Sequence, residues 1–183
     1  MNCIQSLYKA QIEVKKSKFI SYLVPINDFK NLYELLKKEH LKANHIVWAK
    51  RELNDFNQII ENSTDDGEPK GAAGVPTLNQ LRGANLINCA IITVRYFGGI
   101  KLGVGGMVRA YSKAAKEVID CANLVEYKKL IDFKICKPYS KQREMEYHFK
   151  KLQIFDINRE FKEDKICYNL KVPKEIISKL KML

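Results

Sequence analysis

The sequence predicts an α+β protein built from two consecutive domains. Segments that alternate apolar with polar residues, or are continuously apolar, are typical of strands, and they are interspersed with segments of helical periodicity. The pattern changes after Leu124, so we assign residues 1–124 to the first domain and residues 125–183 to the second. A chain of 183 residues is long enough to form two modest hydrophobic cores.

The chain begins with a predicted hairpin and a helix. Residues 8–14 alternate apolar and polar side chains, as in a half-buried strand, and residues 19–26 supply its partner across a lysine-rich turn. Asn27 and Asp28 then cap a helix that ends near His40. Its apolar residues recur at helical spacing, namely Phe29, Leu32, Tyr33 and Leu36.

The rest of the first domain predicts three more strands and two helices. Residues 46–50 and 56–61 have strand patterns, and residues 76–82 form a short helix closed by Gly83. Residues 86–94 are almost entirely apolar, as in a central strand. An amphipathic helix follows from Gly106, with basic residues on its outer face, namely Arg109, Lys113 and Lys116.

The second domain predicts the order β-α-β-β-α. A strand over residues 131–136 precedes a helix, and a hairpin turns at Glu163-Asp164. Pro173 is well placed as the first residue of a last helix. A split β-α-β domain would normally add one more strand, so we expect either that the domain is a trimmed form of that fold or that this sequence stops short of its last strand.

Composition predicts a soluble, cytoplasmic protein. No apolar run approaches the roughly 18 residues that span a membrane, and the first residues lack the pattern of an export signal. The net charge of +11 favours anionic partners, although the excess is spread about equally over both domains. The five cysteines are widely spaced without zinc-ligand spacing, and we expect buried, reduced thiols.

An acidic turn is the first candidate site. Asp65, Asp66 and Glu68 crowd a segment whose shape Gly67 and Pro69 restrict. These carboxylates could cap the following helix and pair with arginines, coordinate a divalent metal or bind a partner, or act as acid and base. We rank the structural interpretation first, cation or partner binding second and catalysis third.

A glycine-rich loop between a buried strand and a helix is the second candidate site. Its glycines leave backbone N–H groups free beside a helix N-terminus, where an anion such as phosphate is stabilised. Close backbone packing is the alternative, and we prefer the phosphate site because three cations accompany the glycines. The candidate anion-binding or nucleic-acid-binding residues are Arg95, Tyr96, Gly98, Gly99, Lys101, Gly103, Gly105, Gly106 and Arg109.

The sequence does not support the known nucleotide-binding motifs, and nothing in it positively indicates a covalent mechanism. Gly103-Val104-Gly105 lacks the third glycine of a dinucleotide motif, and no Gly-Lys-Ser/Thr occurs. Tyr96 and Phe97 could stack on bases, but strand alternation buries at least one of them. His45 is a lone strand histidine, more often a core or rim residue than a ligand.

The two segments together resemble the IMPACT/YigZ family. The resemblance rests on Asp65-Asp66-Gly67-Glu68-Pro69, on residues 95–106 and on Arg109-Ala110-Tyr111, and blocks near Lys16 and His45 extend it to roughly residues 10–120. The layout resembles that of bacterial members. It implies that Asp65, Asp66, Glu68, Arg95, Lys101 and Arg109 are shared residues.

The resemblance implies a first domain like the second domain of small-subunit ribosomal protein five, with a mixed sheet and helices on one face. It also implies a small ferredoxin-like second domain, similar to domain five of elongation factor G. That pair suggests contact with the ribosome or structured RNA, although such fold-level analogy is associational. Eukaryotic relatives regulate translation, which implies the same general role here.

Three functional hypotheses follow. The first is a non-enzymatic regulator of translation that binds RNA, the ribosome or another anionic partner through the glycine-rich loop and basic helix. The second is an enzyme acting on a phosphorylated small molecule or nucleotide, in which Asp65, Asp66 or Glu68 holds a divalent metal, with no other cofactor. The third is a protein-interaction module using the same surface.

Overall fold

The computed structural model describes residues 1–182, which form two compact units. The first unit spans Met1–Tyr127 and the second begins at Lys128. Residues 125–127 fall in the first unit, three residues beyond the boundary we predicted, because Val125–Glu126 pair as a strand with Asn2–Cys3. A two-residue strand at each end of a unit has no periodicity, so the sequence pattern did not reveal it.

The first unit contains seven strands and three helices. In chain order they are β1 (Asn2–Cys3), β2 (Tyr8–Val14), β3 (Ser17–Pro25), α1 (Phe29–Glu39), β4 (His45–Leu53), β5 (Ile59–Thr64), α2 (Gly74–Gly83), β6 (Cys89–Tyr96), α3 (Val104–Asp120) and β7 (Val125–Glu126).

A five-stranded sheet in the order β2-β3-β6-β4-β5 organises this unit. The α+β class is confirmed, but two details of the expected sheet are wrong. Every neighbouring pair is antiparallel rather than mixed. Helices α2 and α3 pack on one face and α1 on the other, rather than all on one face. The reason lies in strands such as β3, which is buried from Phe19 to Val24 and must be covered on both sides.

The strand predicted at residues 56–61 lies at Ile59–Thr64 instead. Asn54 accounts for the shift, because its side-chain oxygen accepts hydrogen bonds from the N–H groups of Phe56 and Gln58 and so closes a turn. Asn57 has a positive φ of 59° in this turn. The Phe56 side chain is consequently 81% exposed at the tip of the β4–β5 hairpin.

The second unit is a three-stranded antiparallel sheet with two helices. Its elements are β8 (Leu130–Pro138), α4 (Gln142–Lys151), β9 (Ile157–Phe161), β10 (Lys165–Pro173) and α5 (Lys174–Lys181), and the strand order is β8-β10-β9. Both helices pack on one face of the sheet, around Met145, Phe149, Tyr168 and Leu180.

Over residues 1–182, no helix is long and apolar enough to cross a membrane.

The expectation that all five cysteines are reduced is wrong for two of them. Cys136 on β8 and Cys167 on β10 lie directly opposite each other in the strand register and form a disulfide. Cys3, Cys89 and Cys121 are free thiols. A sequence separation of 31 residues conceals the pairing, because β10 returns beside β8 only after α4 and β9 have intervened.

Candidate functional site

The acidic turn and the glycine-rich loop meet at one end of the five-stranded sheet. His45 at the start of β4 is paired in register with Arg95 near the end of β6. Arg95 is in turn paired with Phe19 near the start of β3. The segments that precede or follow these three residues therefore lie side by side at the same end of the sheet, although they are far apart in the chain.

Asp65 organises the segment that leads into α2. One carboxylate oxygen accepts a hydrogen bond from the Gly71 N–H at 2.8 Å, and the other accepts from the N–H groups of Ala73 at 3.1 Å and Gly74 at 2.8 Å. Burial alone would raise the pKa of Asp65, but these three donors outweigh it and hold the pKa below its ordinary value. Asp65 therefore serves as a cap for the beginning of α2.

Asp66 fastens the turn to β4. Its backbone has a positive φ of 46°. One carboxylate oxygen accepts a hydrogen bond from the Ile46 N–H at 2.6 Å, and its carbonyl oxygen accepts one from His45 Nδ1 at 2.7 Å. Because a carbonyl oxygen can only accept, this contact places a proton on His45 Nδ1 and orients the ring.

Glu68 is the anion of a buried polar cluster. Its side chain forms an ion pair with the Arg95 guanidinium and accepts a hydrogen bond from the Tyr111 hydroxyl at 2.8 Å. His45 Nε2 lies 3.9 Å from the second carboxylate oxygen. Burial, and then the nearby Glu68 charge, raise the pKa of Tyr111 far above its usual range, so the hydroxyl stays a donor.

The position of Arg95 corrects one element of the predicted anion site. Arg95 is only 5% exposed, and Glu68 is only 8% exposed. A guanidinium that is buried and neutralised by a carboxylate cannot also contact an anion from solvent. Arg95 therefore belongs to the cluster beneath the surface.

Each carboxylate of the acidic turn is consequently engaged by the protein itself. This arrangement corresponds to the structural interpretation, in which the turn caps a helix and pairs with an arginine. Among residues 1–182, no three His, Cys, Asp or Glu side chains come together as a set of metal ligands. The metal-dependent enzyme considered from the sequence relied on Asp65, Asp66 or Glu68 as ligands, and all three have other partners.

The beginning of the glycine-rich loop is held in place from both sides. The Phe97 N–H donates to the Asn44 side-chain oxygen at 2.8 Å, and the Gly98 N–H donates to Ser17 Oγ at 3.2 Å. A Cβ at Gly98 would lie 2.0 Å from the Lys16 carbonyl group. At Gly98, a glycine is therefore needed for close backbone packing, which was the alternative to a phosphate site.

The later glycines shape the entry to α3. Gly99 and Gly103 have positive φ angles of 84° and 70°, and each has open space where a side chain would begin. Gly103 is the residue before α3 and, as a glycine, it has no side chain with which to cap the helix. Lys101, Gly105 and Arg109 are exposed around it. The backbone N–H groups of the first turn therefore face a basic part of the surface.

A pocket of about 300 Å³ lies beside this helix end. Three cations from two elements line it, namely Lys15 from the β2–β3 turn and Arg109 and Lys113 from α3. Glu13 is the acidic residue in its wall, and Leu102 and Gly106 contribute the loop side. Sequence reasoning treated Lys15 only as a turn residue, and it included Lys113 in the basic helix face without naming it among the candidate binding residues. The available signal was the pair of basic residues four positions apart on one helix, while the proximity of the lysine turn is a tertiary contact.

The structure distinguishes between the two aromatic residues of the loop. Tyr96 is half-buried, and its hydroxyl is hydrogen-bonded to His40 Nδ1 at 2.7 Å. Phe97 is 45% exposed, and the Arg95 guanidinium lies 6.0 Å from the centroid of its ring. Of these two aromatic residues at the end of the sheet, Phe97 is thus the one whose ring is exposed to solvent.

These features define a class of α+β protein in which one end of an antiparallel sheet carries a buried Glu-Arg-Tyr cluster under a basic, glycine-rich surface. The model of the Impact N-terminal domain matches residues 15–119, which is more than half of the chain. The chain therefore belongs to the Impact N-terminal domain family, as the resemblance indicated.

The relatives share this first unit. The IMPACT family member YvyE of Bacillus subtilis is 39% identical over 121 residues, which are 64% of this chain and 55% of that protein. The IMPACT family member YigZ of Escherichia coli is 38% identical over 112 residues, which are 58% of this chain and 54% of that protein. The chain thus spans a little over half the length of these curated relatives.

A solved structure described as that of a hypothetical protein is similar to both units. It aligns with a TM-score of 0.67 and 26% identity, covering 97% of this chain and 87% of that one. The two-unit layout of the fold therefore has a counterpart of known structure.

Proposed function

We propose that this protein binds RNA or a ribosomal component through the basic surface around the glycine-rich loop, and that it regulates translation in the cytoplasm by doing so. The observation that carries the proposal is the pocket in which Lys15, Arg109 and Lys113 converge beside the start of α3, whose N-cap residue is Gly103. Side-chain cations and helix N–H groups are the donors that proteins use for phosphate.

The proposed contact surface differs from the set of residues predicted from the sequence. We retain Lys101, Arg109 and the glycines at the helix entry, namely Gly99, Gly103, Gly105 and Gly106. We add Lys15 and Lys113 because they line the same pocket. We leave out Arg95 because it is buried, Gly98 because it packs on Lys16, and Tyr96 because it is half-buried with its hydroxyl bonded to His40.

Preorganisation favours this surface over the acidic turn as the binding site. The loop is anchored through Asn44 and Ser17, so little conformational entropy is lost when a ligand is bound. An overall charge of +11 adds long-range attraction for polyanions. The link to translation rests on family membership and on the proposed RNA contact.

A salt-dependent titration tests the proposal. Purified protein is titrated with ribosomes and with a structured RNA at about 50 mM and about 200 mM salt, comparing wild type, Arg109→Ala and Lys101→Ala. Binding that weakens steeply with salt, and that both substitutions weaken further, is the expected result, because neutralised phosphates release counterions.

Lys30→Ala is the matched control. Lys30 is an exposed lysine on α1, on the opposite face of the sheet, so the substitution removes the same charge from a different surface. The proposal fails if the wild-type protein binds neither ribosomes nor RNA at low salt. It also fails if Lys30→Ala weakens binding as much as Arg109→Ala does.

A further inference from the structure

The Phe97 side chain is a partly exposed aromatic ring next to the glycine-rich loop. It lies just beyond the end of β6 and is 45% exposed, while its neighbour Tyr96 is secured to His40. We propose that Phe97 is a stacking platform for an unpaired nucleobase, so that this surface binds single-stranded RNA in preference to duplex RNA. The inference rests on the proposed RNA-binding function and specifies the form of RNA.

The ring is supported from below. The Arg95 guanidinium lies 6.0 Å from the Phe97 centroid and 5.5 Å from the Phe19 centroid, and its ion pair with Glu68 fixes it in position. The Phe97 N–H is bonded to the Asn44 side chain, which restrains the backbone. An aromatic ring that is anchored while nearly half of it remains exposed can receive a base with little loss of entropy.

The platform is joined directly to the proposed phosphate-binding residues. Gly98, the next residue, packs against the Lys16 carbonyl group and bonds to Ser17. Lys15 of the same turn lines the pocket with Arg109 and Lys113. The aromatic ring and the cations thus flank one loop, which is the combination that single-strand binding proteins use for bases and phosphates.

Stacking selects for unpaired nucleotides because a base within a duplex is already stacked on its neighbours and is inaccessible to a side chain. The phosphates, by contrast, are available in both forms of RNA. Loss of the ring should therefore affect single strands specifically, whereas loss of a cation should affect both forms.

Ile100 and Val104, which are 44% and 57% exposed, extend the apolar part of the loop.

The test compares a single-stranded RNA with a duplex that contains the same sequence, using fluorescence anisotropy with the full chain at fixed salt. Phe97→Ala is expected to weaken single-strand binding by about tenfold, within the range for loss of one stacked base. It should leave duplex binding within about twofold, because the phosphate donors are unchanged. Phe97→Trp, which preserves an aromatic face, should retain single-strand binding.

Phe56→Ala is the matched control, because Phe56 is an even more exposed phenylalanine, at 81%, on the β4–β5 hairpin. It should change neither affinity. Unchanged single-strand binding by Phe97→Ala, or equal losses for single strand and duplex, would overturn the platform while leaving the phosphate-binding residues testable through Arg109→Ala. If wild type binds neither RNA at low salt, the platform fails, whereas the proposed function fails only if ribosomes are not bound either.

Discussion

The acidic turn and the surface around the glycine-rich loop both contain several charged residues, yet they use them in opposite ways. In the turn, Asp65 caps α2, Asp66 holds β4 and Glu68 neutralises Arg95. Around the loop, Lys101 and Arg109 are exposed. The difference shows that crowded charges identify a binding site only when the fold leaves them accessible to a partner.

The energetic consequences of the two arrangements differ as well. A buried ion pair such as Glu68–Arg95 contributes little net stability as a pair, but removal of one partner leaves a buried charge uncompensated. An exposed cation in solvent contributes almost nothing to folding and can therefore serve binding. Substitutions should accordingly separate the two regions by their effects on stability and on affinity.

The largest effect is expected for Glu68→Ala. This substitution leaves Arg95 buried without a counter-charge and Tyr111 without its acceptor, and should lower the free energy of unfolding by about 3–5 kcal/mol. Urea denaturation followed by circular dichroism measures the change. The double variant Glu68→Leu/Arg95→Met, which removes both charges, should recover much of the loss. A loss below about 1 kcal/mol for Glu68→Ala would mean that the cluster is not buried.

A smaller but clear loss is expected for Gly98→Ala. The new Cβ would lie 2.0 Å from the Lys16 carbonyl group, so the two loops must separate, at a cost of about 1–3 kcal/mol. Gly83→Ala is the control, because its Cβ meets nothing within 4 Å at the end of α2. That variant should be neutral or slightly more stable than wild type. Equal thermal stability of both variants would refute the close packing at Gly98.

Asp65→Asn should cost about 1 kcal/mol near neutral pH, as expected for loss of a helix cap. Because folding lowers the pKa of Asp65, its contribution is fully present above the unfolded pKa of about 4 and is lost as the pH falls through the folded value. The stability difference between wild type and Asp65→Asn should therefore shrink below about pH 4. Denaturation at about pH 7 and about pH 3 measures it, and a difference that is independent of pH would exclude the carboxylate as the cap.

The smallest effect on stability is expected for Arg109→Ala combined with Lys113→Ala. Both residues line the pocket at the surface, so the free energy of unfolding should change by no more than about 0.5 kcal/mol. The dependence of RNA affinity on salt should nevertheless become shallower, by about 0.7 in the log–log slope for each phosphate that the variant no longer neutralises. A destabilised variant with an unchanged slope would reverse the comparison between the two regions.

Periodicity was sufficient to predict most of the fold. The alternation in residues 8–14 and the helical spacing that follows Asp28 correspond closely to β2 and α1. Where local turn chemistry overrode periodicity, as with Asn54 and the start of β5, the predicted boundary moved by three residues. The pairing of β1 with β7 and the Cys136–Cys167 disulfide depend on interactions between distant segments, which local patterns do not encode.

The sequence by itself determined the α+β class, the β-α-β-β-α order of the second unit, the family and the two candidate segments, whereas their meeting at one end of the sheet came from the strand register. Only the tertiary structure decided which charges those segments leave free, because a side chain's accessibility depends on residues far away in the chain. Arg95 and Arg109 have the same side chain on either side of one loop. Burial against Glu68 makes the first a structural residue, whereas the second lines the pocket beside α3 and is exposed to solvent.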